Sequence, residues 1–154
     1  MISHHIIMSS PIGFLKVSAE NDRITSIDFV NEQIIEESDS PVLLQAKRQL
    51  EEYFAGKRKT FELPLEIKGT AFQQSVWKQL LKVPYGRTCS YQDIANQIEN
   101  PKAVRAIGQA NKANAFPIVI PCHRVIGKNQ SLTGYAGKEI DKKETLLSLE
   151  EQYQ

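Results

Sequence analysis

"SYQDIANQIENPKAVRAIGQANKAN", residues 90–114, contains two short helical patterns separated by a turn. Ser90 is a preferred N-cap for the first helix, and Asp93 follows at the capping-box position. Asn100 and Pro101 predict a turn that puts the proline at the first position of the second helix. Two short helices joined in this way predict a helix-turn-helix motif, which is found in proteins that bind DNA and in others that do not.

The second of these helices has a slim apolar side and a basic side. Its apolar side is built from Ala103, Val104, Ile107 and Ala110. Its polar face carries residues spaced at i, i+4 and i+7, namely Arg105, Gln109 and Lys112. A slim helix with an acid-free polar face has the shape and charge that fit a DNA groove. Together with Lys102 and Ala103 at its start, this helix is the candidate DNA-binding surface.

The net charge of +1 conceals an asymmetry along the 154-residue chain. Residues 1–67 hold 7 Lys and Arg against 11 Asp and Glu, a net of −4, whereas residues 68–154 hold 12 against 7, a net of +5. An acid-free stretch of the second part contains six cations: Lys102, Arg105, Lys112, Arg124, Lys128 and Lys138. Such a basic field suits an anionic partner such as nucleic acid, although a solvated basic surface has the same composition.

The first part of the chain is predicted to be a small αβ scaffold domain, residues 1–67. Residues 4–30 predict two or three short strands with turns at Ser10–Gly13 and at Asn21–Asp22. Residues 41–56 predict a helix with Gly56 as its stop, and residues 61–69 are extended. No residues of this domain suggest chemistry.

The second part, residues 68–154, is predicted to be mostly helical and to carry the function. Its first helix lies in TAFQQSVWKQLLKVPYG, residues 70–86, and is ended by Pro84 and Gly86. One side of this helix is predicted to be apolar through Phe72, Val76, Trp77, Leu80 and Leu81.

The composition places the chain among intracellular proteins. We expect a cytoplasmic location, because no stretch is long and apolar enough for a membrane span and the N-terminus has no signal-peptide pattern. The 2 cysteines, Cys89 and Cys122, are predicted to be free thiols. We expect no metal site, because Cys and His do not cluster with ligand spacing.

A candidate nucleophile lies in IVIPCHRVIG, residues 118–127. A thiol is nucleophilic only as thiolate, and the adjacent His123 and Arg124 are the obvious groups to lower the pKa of Cys122. If residues 118–121 form a strand, successive side chains point to opposite sides, so the His123 ring reaches the sulfur only through a water or a local twist. The alternative is a buried structural cysteine.

Glu150 is a candidate partner for this histidine. In KKETLLSLEEQ, residues 142–152, it lies on the same helix face as Leu146 and Leu147, which face the core. A carboxylate on an apolar face is rarely buried without a partner, and an imidazole is a natural one. The alternative is that Glu150 caps the helix end in solvent, and the sequence does not show that Glu150 meets His123.

The sequence PCHRV, residues 121–125, resembles the active-site signature of the O6-alkylguanine-DNA alkyltransferases. The flanking NKANAFPIVI, residues 111–120, and TGYAG, residues 133–137, extend the resemblance, as do the helical segments upstream. It covers nearly all of residues 68–150, whereas residues 1–67 resemble the family only loosely. The implied fold is α+β, with a ribonuclease-H-like N-terminal domain and a winged-helix-like C-terminal domain that contains the helix-turn-helix.

The resemblance implies a set of catalytic residues. Cys122 would accept the alkyl group, and His123 and Glu150 would complete a Glu-His-water-Cys relay. Asn114 would be the hinge that ties the recognition helix to the active-site loop. Lys143, or Lys142 if the match shifts by one residue, would support the thiol.

The resemblance also implies how the lesion is held. Arg105 would enter the base stack in place of the extruded nucleotide, and Tyr91 would press the DNA backbone and donate to the guanine. The pocket for the extruded base would be walled by Pro117, Val125, Tyr135 and Ala136.

The implied activity is the irreversible transfer of an alkyl group from O6-alkylguanine, and from O4-alkylthymine, in duplex DNA to the protein's own cysteine. No cofactor is needed, and a monomer acts once. Two other hypotheses bind DNA without transfer: a lesion sensor, which Cys122 argues against, and a helix-turn-helix regulator with a redox-sensing cysteine. A cysteine hydrolase is a further alternative, but it would turn over.

Overall fold

The computed structural model of the protein describes residues 3–127 and 140–154. The chain divides into two compact units, Met1–Ile67 and Lys68–Gln154. Among the described residues, no helix has the length and apolar character needed to cross a membrane.

A three-stranded antiparallel sheet forms the base of the first unit. Its strands are β1 (Ser3–Met8), β2 (Phe14–Glu20) and β3 (Arg23–Val30), in the order β1-β2-β3. Asn21 and Asp22, with φ of 49° and 66°, make the tight β2–β3 turn, which needs two left-handed residues. The predicted strands and turns are therefore confirmed.

Helix α1 (Pro41–Phe54) covers the sheet of the first unit. Its apolar face is fully buried through Leu43, Ala46, Leu50 and Tyr53. Gly56 follows with φ of 75°, the left-handed conformation common just after a helix. The extended segment that comes next adds a parallel bridge between Leu65 and Ile24.

The second unit is mostly helical, as predicted. Its helices are α2 (Ala71–Leu80), α3 (Tyr91–Gln97), α4 (Val104–Lys112) and α5 (Ile140–Gln152). Two short parallel strands, β4 (Cys89–Ser90) and β5 (Val125–Ile126), pair beside them. Helix α2 is joined to α4 by a hydrogen bond of 2.9 Å from Trp77 Nε1 to the Ala110 carbonyl.

The helix-turn-helix is formed by α3 and α4. The predicted capping box at the start of α3 is confirmed: Ser90 Oγ accepts from the Asp93 N–H, and the Asp93 carboxylate accepts from the Ser90 N–H. Helix α4, however, begins at Val104 and not at Pro101. The Ala103 N–H donates to the Asn100 carbonyl at 3.0 Å, so the proline occupies the second position of a turn, which its fixed φ suits equally well.

A further prediction about the second unit is wrong, and the strand that was considered for residues 118–121 is not formed. Leu81 does not join the apolar face of α2, because the helix ends at Leu80 and the Leu81 side chain is 50% exposed. Residues 118–121 do not form a strand. Ile118 has φ of 77°, a left-handed conformation that a β-branched residue rarely adopts, and residues 117–119 turn.

Candidate active site

The thiol of Cys122 is carried by two consecutive tight turns. The Cys122 N–H donates to the Ile120 carbonyl at 2.7 Å across Pro121, whose φ of −80° and ψ of 64° are those of an inverse γ-turn. Residues 122–124 then form a single 3-10 turn. Because this backbone is irregular and not a strand, the strict alternation of side chains along a strand does not apply here. Cys122 is 2% exposed.

Two asparagine side chains hold this turn, one in the last turn of α4 and one just after the helix. Asn114 Nδ2 donates to the Ile120 carbonyl at 2.9 Å, and Asn114 Oδ1 accepts from the Phe116 N–H at 2.9 Å. Asn111, which is 1% exposed, lies within 3.3 Å of the Cys122 carbonyl through Nδ2. The end of α4 and the residue that follows its cap are therefore tied to the backbone on both sides of the thiol.

The Glu150 carboxylate meets His123 in the core of the second unit. Glu150 Oε2 accepts from His123 Nε2 at 2.6 Å, and both residues are 0% exposed. The alternative that Glu150 caps the helix end in solvent is wrong, whereas the next residue, Glu151, is exposed. The pairing rests on the facing of α5, because Leu146 on the same face is also buried.

Arg124 completes a buried ionic cluster that the sequence did not reveal. Its Nε and Nη2 donate to the two oxygens of Glu150, each at 2.9 Å, and its Nη1 donates to the Val83 carbonyl at 2.8 Å. The sequence groups Arg124 with the cations of a basic stretch that suits an anionic partner, but its side chain is only 6% exposed. Its position beside His123, in a segment dense with buried residues, was the one available signal.

Burial and ion pairing act against each other on the pKa values of this cluster. Burial raises the pKa of Glu150, but hydrogen bonds and charge from His123 and Arg124 outweigh it and hold the carboxyl well below its usual range. Burial lowers the pKa of His123, and Glu150 offsets that effect only in part. The expected resting state is an ionised carboxylate beside a neutral imidazole.

The thiol is held as a thiol at rest. Burial raises the pKa of Cys122 to about 11, against the opposing effects of an Asn114 hydrogen bond and the charge of Lys143. Arg124 is not among the groups that lower it, contrary to the sequence hypothesis. Burial lowers the pKa of Lys143 to about 8, and the charge of Cys122 opposes this. A thiolate therefore forms only when a base takes the proton.

Lys143, and not Lys142, is the lysine that enters the site. Lys143 is 0% exposed and its Nζ donates to the Val125 carbonyl at 2.5 Å, whereas Lys142 is half-buried. Pro117 and Val125, two of the predicted pocket residues, are also buried, one before and one after the thiol turn in sequence. The other two, Tyr135 and Ala136, lie outside the described residues.

The predicted DNA-binding residues lie on the outer side of the helix-turn-helix. The side chains of Lys102, Arg105, Gln109 and Lys112 are exposed, and Ala103 is half-buried. Tyr91, also half-buried, begins α3 directly after β4, which pairs with the strand that follows the thiol turn. Helix α4 thus presents Arg105 outward while Asn111 and Asn114 contact the thiol turn.

Cys89, the second cysteine, is half-buried directly before Ser90, the N-cap of α3. Burial, and then the charge of Asp93, raise its pKa to about 11.

The described residues contain no group of three or more His, Cys, Asp or Glu side chains placed to hold a metal ion.

Family models match both units of the chain. Residues 4–67 match the ribonuclease-like domain of 6-O-methylguanine DNA methyltransferase, and residues 71–152 match the DNA binding domain of the same family. These matches confirm the predicted α+β fold class with its two kinds of domain.

Individual relatives agree over nearly the whole length. The constitutive methylated-DNA–protein-cysteine methyltransferase of Bacillus subtilis is 50% identical, with 97% of this chain and 96% of the relative covered. The crystal structure of the O6-methylguanine methyltransferase of Mycobacterium tuberculosis superposes with a TM-score of 0.87 at 40% identity, covering 99% of this chain and 95% of the other. A structure of the OGT of that organism in complex with DNA gives 0.87 at 41% identity, with 96% and 92% covered. With both domains matched and half of the residues identical to a full-length relative, the chain belongs to the 6-O-methylguanine DNA methyltransferase family.

Proposed function

We propose that this protein repairs DNA by transferring the alkyl group of O6-alkylguanine in a duplex to the sulfur of its own Cys122. The observation that carries the proposal is the buried thiol on a turn shared with His123, whose ring is held by Glu150 at 2.6 Å. A base, an orienting carboxylate and a buried cation, Lys143, surround one nucleophile, as a displacement reaction requires.

DNA binding precedes the chemistry. The alkyl carbon on O6 lies inside the base stack, so the nucleotide has to be extruded before a buried thiol can reach it. Arg105 is exposed on α4 and is long and planar enough to fill the space that the extruded base leaves. Lys102 and Lys112 neutralise phosphates nearby, and Gln109 and Ala103 complete the contact surface.

The transfer itself is one displacement. His123 takes the thiol proton, through a bridging water, and the sulfur attacks the alkyl carbon. The S–C bond forms as the C–O6 bond breaks, and the electron pair stays on the guanine. The Tyr91 hydroxyl donates to the departing base as its charge develops, and Asn114 keeps the thiol turn in register with α4.

The product explains why the protein acts once. A thioether is chemically inert to the groups in the site, and no cofactor takes part. A monomer suffices, because each group with a role comes from one chain.

O4-alkylthymine presents the same alkyl–oxygen bond and is a second substrate. The pocket for the extruded base is assigned to Pro117 and Val125, together with Tyr135 and Ala136, which lie outside the described residues. The cytoplasm, where free thiols persist, is the expected location.

Methyl transfer to cysteine variants tests the proposal. A duplex with one O6-methylguanine, labelled in the methyl group, is mixed with wild type, Cys122→Ser and Cys89→Ser. Wild type and Cys89→Ser should each take up one label per molecule, and Cys122→Ser should take up none while binding the duplex normally. Cys89 is the matched control because burial also raises the pKa of its thiol to about 11.

The alternatives give different outcomes in the same experiment. A lesion sensor or a redox-regulated DNA-binding protein would bind the duplex, but none of the three proteins would gain label. Label on Cys122→Ser, or its loss from Cys89→Ser, would contradict the assignment of the acceptor.

A further inference from the structure

The Glu150 carboxylate receives four hydrogen-bond donors from three residues of the second unit. On Oε1 the donors are the Arg124 Nε, at 2.9 Å, and the Gly86 N–H, at 3.1 Å. On Oε2 they are the Arg124 Nη2, at 2.9 Å, and the His123 Nε2, at 2.6 Å. A carboxylate has about four lone-pair sites, so these donors use all of them, and His123 shares Oε2 with the Arg124 Nη2.

Two further contacts hold the Arg124 guanidinium in place for its pairing with Glu150. Its third donor, Nη1, is bonded to the Val83 carbonyl at 2.8 Å, and its guanidinium carbon lies 5.6 Å from the centre of the Tyr85 ring. Planar, bidentate pairing of this kind belongs to arginine and is not reproduced by lysine. With 6% of its surface exposed, Arg124 is not a DNA-contacting cation.

We propose that Arg124 is a positioning residue for alkyl transfer: by holding Glu150 in a bidentate ion pair, it lets the carboxylate orient His123 while leaving the imidazole a neutral base. This inference rests on the proposed function of the site. It adds a fourth member to the cysteine, histidine and glutamate, one that acts through Glu150 and touches neither the sulfur nor the substrate.

The charged and titratable groups around the His123 imidazole support this role of Arg124. Helix α5 contributes Glu150 and Lys143, the 3-10 turn contributes Cys122 and Arg124, and the loop before β4 contributes Tyr85, which faces the same ion pair. Both Arg124 and Lys143 disfavour a proton on His123, whereas Glu150 favours one. The positive charge of Arg124 offsets the negative charge of Glu150. Lys143 is therefore available to stabilise the Cys122 thiolate once it forms.

A neutral imidazole is what the first step requires. A carboxylate can only accept, so the ring proton sits on Nε2 and Nδ1 carries the lone pair. When the S–H bond breaks, its proton passes to Nδ1, and the imidazolium exists only from that moment. If the ring were protonated at rest, it could not take the thiol proton. Once the C–O6 bond has broken, a proton ends on the released guanine, which balances the one that left the thiol.

The pH dependence of alkyl transfer tests the role of Arg124. The rate under single-turnover conditions is measured at saturating duplex for wild type, Arg124→Met and Arg124→Lys. In wild type the acid limb should lie below pH 6.5, the ordinary pKa of histidine. In Arg124→Met the charge of Glu150 is no longer offset, so the pKa of His123 should rise. The acid limb should then move upward by at least about one pH unit. Arg124→Lys keeps the charge and should stay nearer to wild type.

The control is Arg23→Met, which removes the same charge from an exposed site in the first unit. Its profile should coincide with that of wild type. A purely structural role for Arg124 would lower the rate at every pH and leave the limb in place. An Arg124→Met profile whose limb coincides with that of wild type would therefore overturn the inference.

The wild-type protein gives a second test that needs no variant. The charge state of the His123 ring is followed by ¹⁵N NMR as a function of pH. The ring should remain neutral at pH 6.5, with its proton on Nε2, although a carboxylate lies 2.6 Å away. An imidazolium at pH 7 would overturn the inference. This titration does not depend on alkyl transfer, so failure of the proposed function, seen as no transfer at any pH, remains distinguishable.

Discussion

His123 Nε2 lies 2.6 Å from Glu150 Oε2, and neither side chain is exposed to solvent. This contact joins the turn that carries the thiol to the C-terminal helix, across 27 residues of sequence. It makes the end of α5 part of the reactive site, because the same carboxylate also bonds the Gly86 N–H and Arg124.

Glu150→Gln should impair both stability and transfer. The substitution leaves Arg124 buried without its anion, and breaking a buried ion pair on one side costs about 3–5 kcal/mol. It also removes the group that orients His123, so the transfer rate should fall by roughly 10²-fold. Urea denaturation and single-turnover kinetics measure the two effects. Glu151→Gln, at the exposed neighbouring position, is the control and should change neither.

Asn114→Ala should loosen the thiol turn. It removes the bonds to the Ile120 carbonyl and the Phe116 N–H, both 2.9 Å long. The Ile120 carbonyl still accepts from the Cys122 N–H, but the buried Phe116 N–H loses its acceptor, which costs about 1–3 kcal/mol. Transfer should slow more than DNA binding weakens, since α4 keeps its outer face. Asn96→Ala, which loses one exposed hydrogen bond, serves as the control. Equal losses of binding and transfer would argue against a role in placing the thiol.

Arg105→Ala should act on DNA and not on the fold. The side chain is exposed, so the free energy of unfolding should stay within about 0.5 kcal/mol of wild type. Transfer from a duplex should slow by about tenfold, the effect of losing one contact worth about 1–3 kcal/mol. Transfer from the free O6-alkylguanine base should be unaffected, because no gap in a base stack needs filling. A matching loss with the free base would place Arg105 in the chemistry instead.

Alkylation should destabilise the protein. Cys122 is 2% exposed in a packed turn, and an added methyl group has to displace its neighbours. Overpacking of this kind costs about 1–3 kcal/mol. Thermal melts before and after stoichiometric reaction with an O6-methylguanine duplex, with the DNA removed, measure the change. An unchanged melting temperature would mean that the site has room for the product.

The sequence was most informative where local rules determine the structure. The Ser90–Asp93 capping box, the Asn21–Asp22 turn and the amphipathic face of α1 each depend on residues within a few positions of one another. The facing of Glu150 also followed from helical periodicity. Its partner did not, since nothing local connects residue 150 to residue 123.

The thiol turn was missed because tertiary contacts override local propensity there. Residues 118–120 are Ile-Val-Ile, a β-branched run that favours a strand. In the fold Ile118 adopts φ of 77° and Pro121 centres a γ-turn, held by Asn114 and Asn111. Arg124 was misplaced for a related reason: a lone arginine is usually exposed, and the carboxylate that buries it lies 26 residues away.

Intact-protein mass spectrometry with peptide mapping decides whether Cys122 accepts the alkyl group. The protein is mixed with excess short duplex that contains one O6-methylguanine. We expect a gain of one methyl group in exchange for one hydrogen, saturating at one per molecule and located on the peptide with Cys122. A methyl group on another residue, turnover beyond one equivalent, or tight binding without any gain in mass would contradict it.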